Sequence, residues 1–96
     1  MKRITENRIH NFREYLIHEE KSKATVEKYV RDVTAFAAWL GSTALNKMKV
    51  LEYKEYLLDT YAPSSVNSVL SSLNGFFDFC ETGAFKVKTL KIQRRI

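Results

Sequence analysis

Among the side chains able to act as nucleophiles, acids or metal ligands, this chain offers five tyrosines, two histidines and one cysteine, and none stands in a reactive constellation. Tyr15, Tyr29, Tyr53, Tyr56 and Tyr61 fall at spacings that suit core and rim aromatics, with Tyr29 half in the core and half at its rim. His10 and His18 lie eight positions apart, too far for an i,i+4 pair to share a metal on one helix face, and read as solvent-exposed. Cys80 stands alone, so an intramolecular disulfide is excluded, and no Cys/His spacing suits tetrahedral zinc. It reads as a small core residue of a chain that works in a reducing cytoplasm. Neither catalysis nor a metal or cofactor is expected.

The remaining polar residues are of the kind that bind. Ser64, Ser65, Asn67, Ser68, Ser71, Ser72 and Asn74 put short, uncharged side chains where an ordinary solvent face would carry Lys and Glu. Such side chains let a helix backbone approach another surface while supplying donors and acceptors to phosphate oxygens or base edges. The plainer reading is a solvated serine face, but serine is a poor helix former and seven such residues lower helicity. A second cluster is Lys21, Lys23, Thr25, Lys28 and Arg31, where Glu27 is the opposing charge among the basic groups. Lysines beside a helix N-terminus attract phosphate through charge and free backbone N–H groups. A solvated charged face is again the alternative.

These residues need helices to position them. Ile9, Phe12, Tyr15 and Leu16 recur at helical spacing and predict a first helix over roughly residues 5–19. Ser22 suits the N-cap of a second, with Val26, Tyr29, Val30, Val33, Phe36, Ala37 and Leu40 inward and Gly41 just past its end. Met48, Leu51, Tyr53, Leu57 and Leu58 predict a third helix from about Asn46 to Asp59. Pro63 suits the first turn of a fourth, whose inward stripe is Val66, Val69, Leu70, Leu73, Phe76, Phe77 and Cys80, with Gly83 as its left-handed terminator. The expected fold is all-α, a compact four-helix bundle.

The second and fourth helices carry a family resemblance. Ser22, Thr25, Tyr29, Asp32, Phe36, Trp39 and Leu40, followed by Pro63, Ser64, Ser65, Asn67, Leu70, Leu73, Phe76, Phe77 and Phe79, resemble the SAM-like core-binding domain at the front of tyrosine recombinases and phage integrases. The likeness covers nearly the whole chain. It implies a SAM-like bundle that clamps one side of a recombination-site duplex with its second and fourth helices while a separate catalytic domain clamps the other. It also implies contacts with neighbouring recombinase subunits. The family cleaves DNA with a tyrosine nucleophile supported by arginines, histidines and a lysine; this sequence has no His-x-x-Arg to accompany its tyrosines. Ser68 and Asn74 stand where the family often has basic residues, and no Asn-Pro step follows the fourth helix.

Size and charge fit that reading. At 96 residues, 45% hydrophobic, the chain has room for one small core and none for a second. The net charge of +5 lies wholly in the tail, as Lys86, Lys88, Lys91, Arg94 and Arg95, because residues 1–83 are balanced. Residues 1–83 are therefore expected to form the DNA-binding domain and 84–96 a mobile basic linker, with Lys88 and Lys91 on the phosphate backbone. The polar and charged stretch through Glu14 leaves no apolar run for a signal peptide or membrane span, so no membrane partner is expected. The fragment alone is expected to be monomeric. A protein-interaction module is the alternative function.

Overall fold

The computed structural model describes residues 3–91. Four α-helices follow one another: α1 (Glu6–His18), α2 (Lys23–Leu40), α3 (Lys47–Thr60) and α4 (Pro63–Phe79), then a 3-10 turn (Gly83–Phe85) and an extended strap, residues 86–91. The first three helices start on side-chain caps, since Thr5, Ser22 and Asn46 accept from the N–H groups of Arg8, Thr25 and Lys49. Helix α4 instead begins on Pro63 with no side-chain cap. Gly41 closes α2 at φ +60°, a conformation that favours glycine.

The core is aromatic. Phe12, Phe36, Phe76 and Phe77 are fully buried, and Phe12 of α1 meets Phe76 edge-on at 5.2 Å. Phe36 of α2 meets Tyr53 of α3 at 4.8 Å. Helices α2 and α4 pack against one another: Tyr29 lies against Gly75, Asp32 bonds Ser72, and Lys28 reaches both Ser68 and Ser72. The inward stripes of α2 and α4 agree with the sequence expectation, with Tyr29 half-buried as expected.

Three expectations are corrected. In α3 Tyr53, Leu57 and Leu58 face the core as expected, but Val50 is buried where Met48 and Leu51 were expected, and those two are exposed; the apolar residues are spread around the helix, so periodicity fixed its face only in part. Tyr15 is also mostly outside, stacked on Phe12 and reaching Glu19. Gly83 does not end α4. Glu81 does, at φ +57°, with Glu81 N–H donating to Asp78 O and Thr82 N–H to Phe77 O. This is the Schellman pattern, and α1 repeats it with Glu20 at φ +59°. A left-handed glutamate costs energy that glycine does not. Glu81→Gly is therefore expected to stabilise the fold by about 0.5–1 kcal/mol, the gain being trimmed by the freer unfolded chain. Urea unfolding checks this; a lower midpoint would mean that Glu81 contributes something its geometry does not show.

The strap overturns the expectation of a mobile tail for residues 86–91; Arg94 and Arg95 of that tail lie outside the described residues. Val87 is 4% exposed and Leu90 is half-buried. Asn74 donates to Val87 O (2.9 Å) and accepts from Val87 N–H (3.1 Å). Asn67 does the same for Leu90, at 2.9 and 2.6 Å. The spacing explains the fit: two asparagines seven residues apart on a helix are ~10.5 Å apart along its axis, and three residues of extended chain span ~10 Å. The strap thus runs antiparallel to α4. Lys54 of α3 caps the Lys88 carbonyl at 2.7 Å, and Lys86 pairs with Asp78.

Candidate nucleic-acid interface

Helix α4 presents three engaged sides and one open one. Its core side carries Val66, Leu70, Leu73 and Phe77; one flank meets α2 through Ser72 and Gly75; the other holds the strap through Asn67 and Asn74. What is left is a narrow uncharged face with Ser64 and Ser71 exposed and Ser68 half-buried, and Ser65 exposed towards α2. The seven short polar residues therefore divide by task. Ser72 is wholly buried, and Asn67 and Asn74 spend their amides on the strap.

The basic residues also divide. Lys21 and Lys23 are exposed around the α2 N-terminus, and no acidic residue occupies its first turn. Thr25 is half-buried, its N–H on the Ser22 hydroxyl at 3.2 Å and its own hydroxyl accepting from Ser22 at 2.9 Å. Arg31 is exposed further along α2. Lys28 is different: its ammonium donates to Asp32 Oδ2 at 2.7 Å, Ser68 O at 3.0 Å and Ser72 Oγ at 3.0 Å. All three donors are used inside the protein, so Lys28 joins α2 to α4. On the strap side, Lys88 and Lys91 are exposed. Lys21, Lys23, Arg31, Lys88 and Lys91 make no ion pair among the described residues. The open face of α4 thus runs between two flanks that carry unpaired cations.

This arrangement is accompanied by a sequence match. Residues 9–82 match the phage integrase N-terminal SAM-like domain. The chain belongs to this family. No curated protein and no solved structure matches it. The match to the SAM-like domain ends before the strap, so the asparagine-held segment lies beyond the matched residues. Within the SAM-like domain, sequence reasoning missed the burial of Asp32, 9% exposed beneath Lys28. The i,i+4 spacing of Lys28 and Asp32 was the available signal. His10 and His18 are exposed as expected, with His18 Nδ1 at 2.9 Å from the Glu14 carbonyl. No group of His, Cys, Asp and Glu among the described residues could hold a metal, and no described helix is long and apolar enough to cross a membrane.

Proposed function

We propose that this SAM-like domain is the DNA-binding domain of a site-specific tyrosine recombinase, acting in the cytoplasm and clamping the duplex at the recombination site, with strand cleavage and rejoining left to a separate catalytic domain. The observation that carries the reading is the uncharged α4 face set between exposed cations on α2 and on the strap. Cations on both flanks would follow the phosphate backbone, and Ser64, Ser68 and Ser71 are short enough to let α4 approach a groove. Lys28, Asn67 and Asn74 support this surface from beneath and beside it.

A duplex titration by fluorescence anisotropy between about 50 and 200 mM salt tests the reading. Non-specific affinity of roughly 10⁻⁴–10⁻⁶ M is expected at physiological salt. Substituting Lys21, Lys23 and Arg31 together by alanine should flatten the log–log salt slope by about 2.7, at about 0.9 for each phosphate no longer neutralised, without moving the unfolding midpoint. A slope unchanged in the triple variant would remove α2 from the interface.

A second feature favours protein contact. Trp39 of α2 and Tyr56 of α3 are exposed with their rings 6.4 Å apart, and Met48 and Leu51 of α3 are exposed as well. They suit contact with neighbouring recombinase subunits, or with another protein if the chain is an interaction module. Such apolar association would respond little to salt.

A further inference from the structure

Where α2, α3 and the start of α4 meet, a cleft of about 350 Å³ opens, towards the lower end of the roughly 300–1,000 Å³ of ligand clefts. Its apolar walls are Ala35, Leu57 and Val69. The polar groups are unusual in being left over. Tyr53 is 4% exposed, and its hydroxyl makes no hydrogen bond among the described residues. No described side-chain N or O atom is both fully buried and unpartnered, so this hydroxyl keeps solvent access, and the cleft it lines supplies it. Burial, with Tyr56 and Asp32 nearby, pushes its pKa up to about 12, so it remains a donor at neutral pH. Beside it, Asp32 spends Oδ2 on Lys28 and Ser72, while Oδ1 takes no partner among the described residues. At the mouth stand Arg31, Tyr61 and Ser65. Ser65 is in the first turn of α4, where no side chain caps the helix, no acid opposes its dipole and the first helical N–H bond belongs to Val66. Arg31 and Ser65 thus bring a guanidinium and a hydroxyl to the lining of one cleft, beside the uncapped first turn of α4, a combination suited to an anion.

The geometry points to a nucleotide site: a phosphate at the α4 N-terminus and Arg31, and a base between the apolar walls with its edge on Tyr53 and Asp32. A flat body with apolar faces and a polar edge is what such a lining accepts. The free Oδ1 accepts hydrogen bonds, so the amino-bearing edge of cytosine is favoured over thymine. The nucleotide is either free or an unpaired residue of a DNA strand. The site shares Arg31 with the proposed duplex surface, but its base-binding residues, Tyr53 and Asp32, take no part in that surface.

The test is NMR titration of the labelled chain with cytidine monophosphate, thymidine monophosphate and inorganic phosphate. Cytidine monophosphate should move the amides of residues 31–35, 53–57 and 64–69, at concentrations more than about tenfold below phosphate because the base is buried as well. Thymidine monophosphate should bind more weakly, and Tyr53→Phe should weaken the cytidine nucleotide about three- to tenfold, one hydrogen bond's worth. A duplex with a single-stranded cytosine overhang that competes better than a blunt duplex would identify the strand as the source; equal competition would identify free nucleotides. Phosphate as effective as the nucleotide, or shifts gathered on Lys21, Lys23 and the strap, would overturn the site. Blunt-duplex binding with no nucleotide shifts in the cleft would do so too, while leaving the proposed function intact.

Discussion

Replacing Lys28 by methionine is expected to destabilise the domain by about 2–3 kcal/mol, lowering the unfolding temperature by roughly 10–20 °C for a domain of this size. The ammonium is the partner of a carboxylate that is 9% exposed, at 2.7 Å, and both converge on the wholly buried Ser72. Methionine keeps much of the stem's packing but leaves Asp32 with Ser72 alone. Removing one partner of a buried pair costs about 3–5 kcal/mol; the lower figure here allows for a Lys28 side chain that is 32% exposed and partly screened. The double variant Lys28→Met/Asp32→Leu should recover most of the loss, since no charge is then stranded and Ser72 still donates to Ser68 O at 3.3 Å. Calorimetry of the two variants decides it. A single variant as stable as the parent would show that water replaces Lys28 at no cost. The same result separates two kinds of basic residue on α2: Lys28 variants should lose stability, whereas Lys21, Lys23 and Arg31 variants should keep stability and lose DNA affinity.

That distinction marks what was legible in the sequence. The bundle could be read because it obeys local rules: a cap at Ser22, proline at the head of α4, and clean 3.6-residue stripes on α2 and α4. Helix α3 was legible in extent but only partly in face, because its apolar residues do not favour one side: Tyr53, Leu57 and Leu58 were read as inward, and Val50 was not. The α4 terminus was misplaced because glutamate occupies a position where local energetics prefer glycine. At the candidate interface, composition located the short polar face and the basic cluster, but it could not divide them. Lys28 and Arg31 are three residues apart and equally charged; Asp32, one turn on, marks Lys28 as an ion-pair partner, but the burial of that pair comes from Ser68 and Ser72, some forty residues away. Likewise, seven serines and asparagines on one helix look equivalent until α2 and the strap approach from opposite flanks.

The strap makes the same point testable, because its hold on α4 rests on two side chains. Asn67→Ala and Asn74→Ala each remove a donor and an acceptor that match the backbone of one strap residue. At about 0.5–1.5 kcal/mol net per hydrogen bond and two bonds for each asparagine, each variant should lose about 1–3 kcal/mol of strap docking, and the pair about 2–6. The loss should be local, because Val87 is the strap's fully buried anchor while the four phenylalanines of the core are untouched. Amide exchange should therefore show Val87 and Leu90 losing their protection in the double variant, while Phe36, Leu70 and Phe77 keep theirs. Asn74→Asp supplies an internal control: its carboxylate still accepts from Val87 N–H, but its second oxygen faces the Val87 carbonyl where an amide donated at 2.9 Å, so the variant should lose at least as much docking as alanine. Val87 and Leu90 amides that exchange at free-chain rates in the parent would remove the clamp altogether. If the clamp holds, duplex binding provides a second readout. Replacing asparagines that read bases would change sequence preference, whereas replacing asparagines that hold the strap should lower affinity alike on all sequences and flatten the salt slope, because Lys88 and Lys91 are no longer fixed beside α4.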